Sequence, residues 1–177
     1  MPDTGFFNPQ ELQQIVGIQE GMRVADFGSG SGELAAMLAA MVGQDGMVTA
    51  IDVLPSAIES IQARAKHKHL NNIEAVRADL EVLRSSKLAD DSQNVVYLAN
   101  ILWQSDKKAE ILFEATRVLK HGGTLVAIEW NQKQGIGPPK GARITEGTLK
   151  ALVSSAGLVP EKNFVAGAYH YGLIAKK

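Results

Sequence analysis

A short apolar stretch, an acidic residue and a glycine-rich turn hold the residues whose types and spacing are best suited to chemistry. The stretch Val24–Phe27 contains an aspartate, the turn Gly28–Gly32 alternates glycine with serine, and a helical pattern begins at Glu33. Because glycine has no Cβ and tolerates positive φ, such a turn brings the main chain close to a ligand. The amide groups at the start of the next helix lack partners within that helix. The turn therefore predicts a cradle for the polar part of a nucleotide-like cofactor.

Polar residues also stand at the ends of five short apolar stretches along the chain. They are Asp26, Asp52, Asp79, Asn100 and Glu129. As parallel strands of one sheet, these stretches would bring their carboxyl ends to one edge, where such sheets bind ligands. A carboxylate offers about four lone-pair positions, which suits two neighbouring hydroxyl groups. The spacing therefore predicts a polar ligand site at that edge.

The apolar patterns in the first two thirds of the chain alternate between strand and helix periods. Helices are predicted over 9–16, 33–42, 55–68 and 106–119, and strands over 22–27, 47–51, 73–78, 94–99 and 124–129. The fourth helix is expected to close on Lys120–Gly123, a basic turn followed by glycine. This alternation predicts an α/β fold with a parallel sheet, right-handed crossovers and helices on both faces.

The last third of the chain has a different pattern. A loop over 132–143, rich in glycine, proline and lysine, precedes a helix that starts at Thr145 and ends near Gly157. Two strands are predicted over 159–165 and 169–175, with only residues 166–168 between them. A turn that short requires an antiparallel hairpin.

Composition excludes several classes of protein. A chain of 177 residues with a net charge of −1 has no general attraction for nucleic acid or anionic membranes. Without cysteine it has no disulfide, zinc–thiolate site or cysteine nucleophile, and no metal site is expected. The amino terminus lacks a basic, apolar leader, and no stretch reaches the roughly 20 apolar residues of a membrane span. We therefore expect a single domain over 1–177, located in the cytoplasm.

The order of these elements, with the acid-plus-glycine turn, resembles the class I S-adenosylmethionine-dependent methyltransferases. The segment Arg117–Leu125 is similar to the Arg-Val-Leu-Lys-Pro-Gly-Gly segment of the small-molecule branch (the type 11/25-like methyltransferases), with His121 in place of proline. Glu129-Trp130 and Gly137–Pro139 are similar to the tail of that branch. The resemblance implies a Rossmann-like three-layer sandwich. Its seven-stranded, mostly parallel sheet would have the order 3-2-1-4-5-7-6, with the last strand antiparallel.

The resemblance also implies a set of residues that bind S-adenosylmethionine (SAM). Asp26 would meet the ammonium group, the glycine turn the methionine portion, Asp52 the ribose hydroxyls and Asp79 the adenine amino group. The residues expected to bind the cofactor are Asp26, Gly28, Ser29, Gly30, Asp52, Val53, Asp79, Leu80 and Asn100. Asp79 has an alternative role as the cap of a helix over 80–84.

The sequence says less about the acceptor side of the site, the part that would bind the molecule to be methylated. Its candidates are Phe7, Trp103, Glu129, Trp130 and Tyr169. Trp103 stands where many relatives carry histidine, so the catalytic residues are unknown and a histidine base is in doubt. Phe7 and Trp103 have structural alternatives, as a staple of the first helix and as a core residue. We expect structural roles for most of Tyr169–Tyr171, with His170 facing away from its two neighbours.

Methyl transfer from SAM to a small-molecule acceptor, giving S-adenosylhomocysteine (SAH), is the function that the sequence favours. A protein or nucleic-acid methyltransferase would need a basic face or an added recognition module. The G-x-G-x-G spacing and the terminal hairpin argue against a nicotinamide dehydrogenase. The absence of cysteine argues against arsenite methylation. A non-catalytic SAM-binding protein stays open. The sequence also leaves open the acceptor, the methylated atom and pairing as a homodimer.

Overall fold

The computed structural model describes residues 9–133 and 136–177, and side chains from Gln13 onward. Phe7, the acceptor-side candidate in the amino-terminal segment, lies outside the described residues. The strands are β1 (Arg23–Phe27), β2 (Met47–Asp52), β3 (Ile73–Arg77), β4 (Gln93–Ala99), β5 (Leu119–Trp130), β6 (Val159–Val165) and β7 (His170–Lys176). The helices are α1 (Pro9–Val16), α2 (Glu33–Val42), α3 (Pro55–His67), α4 (Lys108–Val118) and α5 (Glu146–Ser155), with 3₁₀ turns at Leu102–Gln104 and Lys140–Ala142.

The seven strands form one mixed sheet of order β3-β2-β1-β4-β5-β7-β6. Parallel pairing joins β3 to β2, β2 to β1, β1 to β4 and β4 to β5. Strand β7 runs antiparallel to both β5 and β6. The fold class and the strand order predicted from the sequence are confirmed. The order reverses between β1 and β4, and the crevice at such a switch point is where open α/β sheets bind ligands.

Apolar layers pack on both faces of the sheet. On one face Phe27 and Leu98 pack with residues of α4 and α5, and on the other Val24 and Tyr97 pack with residues of α2. Strand β4 is buried on both faces, as its continuous apolar run predicts. Because side chains alternate along a strand, Asp26 lies on the face of Val24.

The helices begin where local chemistry favours a helix start. Pro55 opens α3, where its fixed φ suits the first helical turn. Thr145 caps α5, since its hydroxyl accepts a hydrogen bond from the Thr148 amide at 3.2 Å. Among the described residues, no helix is both long enough and apolar enough to cross a membrane.

The junction between α4 and β5 differs from the sequence prediction. The helix ends at Val118, and Leu119 already has extended geometry and pairs with Gln93 of β4. Lys120–Gly123 does not close the helix. It forms an irregular segment within β5, in which Gly122 has a φ of +76° and bonds through its amide to the Lys177 carbonyl. Pairing resumes between Thr124 and Val95.

Arg117, the first residue of the segment that resembles the small-molecule branch, has a structural role. Its guanidinium donates to both carboxylate oxygens of Glu114 at 2.9 and 2.7 Å. It also reaches the Leu88 carbonyl at 2.9 Å and the Asp90 carboxylate at 2.5 Å. These bonds join α4 to the segment that precedes β4. They lie at the end of the sheet opposite the carboxyl ends of the parallel strands.

Candidate functional site

A groove of about 490 Å³ opens at the carboxyl ends of β1, β2 and β3. Small-molecule pockets in proteins span roughly 300–1,000 Å³, so the groove has the size of a cofactor site. Six predicted cofactor-binding residues line it: Gly28, Gly30, Asp52, Val53, Asp79 and Leu80. The sequence analysis missed the other lining residues, which are Leu54, Ala78, Glu81, Ile101, Gln104, Ser105 and Ile111. Leu54, Glu81 and Ile101 come two or three residues after a predicted strand, which is the signal that could have found them.

The glycine-rich turn holds its shape through close packing. Gly28, Gly30 and Gly32 have φ values of +77°, +51° and +74°. A Cβ on Gly28 would lie 2.7 Å from the Ile101 side chain, and one on Gly32 would lie 2.8 Å from the Ile61 side chain. Glycine is therefore required at both positions for backbone conformation and for space.

The amides of the turn are used within the protein. Those of Gly28 and Ser29 donate to the Ile51 carbonyl at 2.8 and 3.0 Å. The Gly30 amide donates to Asp52 Oδ2 at 2.9 Å. The turn is thus tied to β2. Three of its carbonyls also accept hydrogen bonds within the protein: that of Ser29 from the Gly32 amide, that of Gly32 from the Ala36 amide and that of Ser31 from Arg64 Nε.

Asp52 is held at the end of β2 by two main-chain bonds. Besides the bond from Gly30, its Oδ1 accepts from the Leu54 amide at 3.0 Å. A carboxylate has about four lone-pair positions, so two remain for hydroxyl donors of a ligand. Arg77 donates to the Val53 carbonyl at 3.1 Å. This bond holds Val53, the residue after Asp52, which also lines the groove.

Asp26 is a buried carboxyl group two residues before the turn. It is 1% exposed, and its Oδ2 finds no hydrogen-bond partner within the described part of the chain. Burial raises the pKa of Asp26 to about 7; Ser29 opposes this rise, and the charge of Asp52 reinforces it. Burial and Asp26 also raise the pKa of Tyr97. A cation bound beside Asp26 would stabilise the ionised carboxylate.

The residues that follow β3 form one wall of the groove, and they adopt a series of turns. Asp79 Oδ1 accepts from the Glu81 amide at 3.0 Å, and residues 80–86 form turns, so the alternative of Asp79 as a helix cap is wrong. Glu81 in turn accepts from the Ser105 hydroxyl at 2.7 Å. This bond joins the segment after β3 to the segment after β4 across the groove. Leu80 is buried in the apolar core beneath.

Asn100, the residue after β4, has an unusual backbone conformation. Its φ is +58°, and its amide donates to the Ile128 carbonyl at 2.8 Å. Its carbonyl accepts from Gln104 Nε2 at 2.6 Å. Its side-chain Nδ2 lies 3.1 Å from His170 Nε2. Asn100 does not line the groove, but it lies next to Ile101, which does.

Glu129 is fully buried at the end of β5. Its Oε1 accepts from the Leu102 amide at 3.0 Å, whereas Oε2 is without a hydrogen-bond partner among the described residues. Burial raises the pKa of Glu129 to about 7 against the opposing effects of the Leu102 and Trp103 amides and of Lys108. Glu129 therefore shapes the 3₁₀ turn that forms one wall of the groove. Trp103, in the same turn, packs partly buried against the core.

Trp130 and His170 meet across the β5–β7 pairing. Their ring centroids are 4.2 Å apart, and the rings are tilted by 42°. The Arg143 guanidinium lies 5.8 Å from the Trp130 ring centroid. His170 is 1% exposed, and burial together with Arg143 lowers its pKa to about 4, so the ring is neutral near pH 7. Sequence reasoning expected structural roles for most of Tyr169–Tyr171 and named no partner for His170, because only the strand register brings it to Trp130.

The two tyrosines beside His170 differ in their contacts. Tyr171 is buried and donates its hydroxyl to the Ile144 carbonyl at 2.9 Å, a bond that fastens β7 to the loop before α5. Tyr169, an acceptor-side candidate, is partly buried, and its carbonyl accepts from the Asn131 amide at 2.8 Å. Neither tyrosine lines the groove.

Residues 18–159 match the family model of a methyltransferase domain. A structure of a SAM-dependent methyltransferase from Aquifex aeolicus superposes with a TM-score of 0.90 at 26% identity, covering 99% of this chain and 93% of that one. The fold, the groove and these matches define the class, an α/β methyltransferase whose methyl donor is SAM. The chain belongs to the SAM-dependent methyltransferase family.

Two further matches are to proteins whose names specify what they act on. The ubiquinone/menaquinone biosynthesis C-methyltransferase UbiE of Shewanella sp. (strain W3-18-1) is 30% identical over 122 residues, 68% of this chain and 47% of that protein. The chain thus spans about half the length of this curated relative. The arsenic(III) SAM methyltransferase of Chlamydomonas reinhardtii has a TM-score of 0.71 at 23% identity, covering 91% of this chain and 64% of that one. At that identity the likeness shows the fold alone.

Proposed function

We propose that this protein transfers a methyl group from SAM to a small-molecule acceptor. The observation that carries the proposal is the groove at the switch point of the sheet, whose lining includes Gly28, Gly30, Asp52 and Asp79. A glycine turn and carboxylates at successive strand ends are what a ligand with a ribose, a base and a cationic amino acid requires. Family membership supplies the identity of the methyl donor.

The described residues fit SAM in charge as well as in space. Asp26 has a buried carboxylate oxygen with no partner in residues 9–133 and 136–177, and this group suits the ammonium end of the ligand. Asp52 has two lone-pair positions left for the ribose hydroxyls. Asp79 suits the adenine amino group, while Val53 and Leu80 offer apolar contact to the ring.

SAM, when bound, supplies a methyl group that its sulfonium already activates, so the protein contributes chiefly proximity and orientation. Ile101 and Gln104 hold the groove wall in place, and Glu129 fixes the turn that carries Gln104. A general base is needed only for acceptors that are protonated at the working pH. We assign Trp130, which contacts the neutral ring of His170, to the part of the site that takes the acceptor.

A small acceptor is favoured over a macromolecule. The net charge of −1 gives no attraction to nucleic acid. The relative UbiE, 30% identical over 122 residues, bears a name that refers to small molecules. The chain has no thiol to bind arsenic, which argues against that particular acceptor.

The experiment that tests this proposal follows labelled methyl groups. The protein is incubated with methyl-labelled SAM and a bacterial extract, which is then separated into small molecules, protein and nucleic acid. We expect label in the small-molecule fraction with the wild type, and none there with Asp52→Ala. Label confined to protein or nucleic acid would assign a different acceptor class. Absence of transfer to every fraction, despite SAM binding, would favour a non-catalytic SAM-binding protein.

A further inference from the structure

A second cavity, of about 210 Å³, lies at the amino-terminal parts of β4 and β5. We call it the β4–β5 cavity. Its lining includes Asn94 of β4, Lys120 and Thr124 of β5, and Lys176 of β7. A strand rises about 3.3 Å per residue, so the length of β4 separates this cavity from the SAM groove by roughly 20 Å. The two cavities therefore lie at opposite edges of the sheet.

The irregular segment Lys120–Gly123 of β5 gives the β4–β5 cavity its shape. Between two paired positions, Gln93 with Leu119 and Val95 with Thr124, β4 has one residue and β5 has four. The extra residues bulge out of the sheet, and a bulge of this kind re-aims side chains beside binding sites. The segment belongs to the part of the chain that resembles the small-molecule branch, yet none of it lines the SAM groove.

Two lysine amines line the β4–β5 cavity without a carboxylate partner in the described part of the chain. Lys120 Nζ donates to Asn94 Oδ1 at 3.3 Å. Lys176 Nζ donates to Thr124 Oγ1 at 2.7 Å and to the Gly122 carbonyl at 3.5 Å. All three acceptors are uncharged. Both lysines are partly buried, where a charge interacts more strongly than it does in water. A bound anion would neutralise them.

The acidic residues of the adjoining segment have basic partners of their own. Asp91 pairs with Lys177 at 2.7 Å, and Asp90 pairs with Arg117 at 2.5 Å. Among the described residues that line the β4–β5 cavity none is acidic, whereas His121 adds a third basic side chain. His121 stands where the resembling segment of the small-molecule branch has proline, so this chain carries a basic group at that position.

Unused hydrogen-bond donors in the β4–β5 cavity suit an oxyanion. An ammonium group has three N–H donors, and the bonds to protein use one of those on Lys120 and two of those on Lys176. The Thr124 hydroxyl, 5% exposed, accepts from Lys176 and keeps its own proton for another acceptor. A phosphoryl group presents several acceptor oxygens and nearly two negative charges. Since the volume is below that of a drug-sized pocket, the anion is compact.

We propose that the β4–β5 cavity binds a compact phosphoryl oxyanion, either inorganic phosphate or the phosphate group of a small ester. Lys120 and Lys176 supply the charge and charge-assisted hydrogen bonds, and Thr124 adds a hydroxyl donor. The site is separate from the SAM groove. The inference therefore goes beyond the proposed function and does not depend on it.

Inorganic phosphate and methyl phosphate are the probes for this site. Each is titrated into the wild-type protein at constant ionic strength, with chloride as the compensating anion, and binding is followed by heteronuclear NMR at the Gly122 and Gly123 amides. We expect saturable shifts with dissociation constants on the order of 1 mM. Tighter binding of inorganic phosphate supports the free ion as the ligand, and tighter binding of methyl phosphate supports an ester. Absence of saturable shifts at these amides with both probes would overturn the proposal.

Two lysine variants and a matched control assign the binding to the β4–β5 cavity. Lys120→Gln and Lys176→Gln each remove one charge but keep a side-chain N–H for Asn94 or Thr124. We expect each to weaken phosphate binding at least about tenfold. Lys66→Gln removes an exposed charge in the last turn of α3 and is expected to bind phosphate within about twofold of wild type. Equal weakening in this control would show that net charge attracts phosphate, and would overturn the proposal.

Binding of SAH to each variant separates this inference from the proposed function. We expect SAH affinity within about twofold of wild type in all three variants, which also shows that they are folded. If one lysine variant does not fold, the other still tests the site. If the wild type binds phosphate as predicted but not SAH, the proposed function fails alone. If SAH binds and the lysine variants keep full phosphate affinity, the inference fails alone.

Discussion

Asp26 is the residue whose chemistry is most altered by the fold. Its carboxyl group has an ordinary pKa of 3.8, and burial raises that value to about 7. The native state therefore retains a proton that the unfolded chain releases between these two values. Consequently, the contribution of Asp26 to stability falls as the pH rises from about 4 to about 7, and it is lowest above pH 7.

Asp26→Asn is predicted to stabilise the protein at neutral pH. The amide has nearly the same shape and carries no charge, so it avoids the burial of an ionised carboxylate. We expect the free energy of unfolding at about pH 8 to rise by about 1–3 kcal/mol, with a smaller gain at about pH 4.5. Urea unfolding of both proteins across this range measures the effect. A difference that does not grow with pH would show that Asp26 is not the group that titrates.

Asp26 also predicts proton-linked binding of SAM. A positively charged ligand favours the ionised carboxylate, so binding below about pH 7 must release a proton. We expect the affinity for SAM to rise about tenfold between roughly pH 5.5 and 7.5, and this rise to be absent in Asp26→Asn. Calorimetry in buffers of different ionisation enthalpy measures the released proton. The variant separates Asp26 from Glu129, whose pKa also lies near 7. A pH-independent affinity in the wild type would contradict the assigned role.

At the scale of elements, the turn after β1 gives a matched pair of substitutions. Gly28 and Gly30 both have positive φ, but only a Cβ on Gly28 meets another side chain, that of Ile101. Gly30→Ala is expected to cost about 1 kcal/mol from backbone strain alone, and Gly28→Ala about 1–3 kcal/mol more from overlap. Urea unfolding compares them. Equal costs would mean that Ile101 moves away without penalty.

The 3₁₀ turn at Leu102–Gln104 follows β4. It is held by a hydrogen bond from the Leu102 amide to Glu129 on the neighbouring strand β5. Glu129→Gln keeps an oxygen for the Leu102 amide and removes the charge, so we expect little loss of stability. Glu129→Ala leaves that amide unpaired and opens a cavity, which is expected to cost about 2–4 kcal/mol. Denaturant unfolding and SAM affinity are measured for both variants. If alanine and glutamine behave alike, the bond to Leu102 does not hold the turn.

Most elements could be predicted because their signals are local. The bounds of α2 and of β6 follow from an apolar pattern and a turn residue, and the structure has them where the sequence predicts them. The end of α4 could not be predicted in this way. Lys120–Gly123 has the composition of a helix end, but pairing of Leu119 with Gln93 and of Gly122 with Lys177 draws it into β5. Those partners are distant in sequence, so local chemistry does not indicate them.

At the scale of the whole molecule, the topology decides which residues meet. Successive strand ends carry Asp26, Asp52 and Asp79, and the parallel order brings them to one edge, so the groove could be anticipated from the sequence. The pair formed by Asn100 and His170 could not, because it depends on the antiparallel register of β7 against β5. The same register places Trp130 opposite His170. The residues that line the groove are thus encoded locally, whereas the contact between Trp130 and His170 depends on tertiary structure.

The measurement that tests the central claim most directly is calorimetric binding of SAM and SAH to the wild type and to Asp52→Ala. Glu59→Ala, which removes an exposed acid on α3, serves as the control. We predict dissociation constants on the order of micromolar for the wild type and the control, and affinity at least about tenfold weaker in Asp52→Ala. Absence of binding to the wild type, or equal affinity in Asp52→Ala, would contradict the account of the groove as a SAM site.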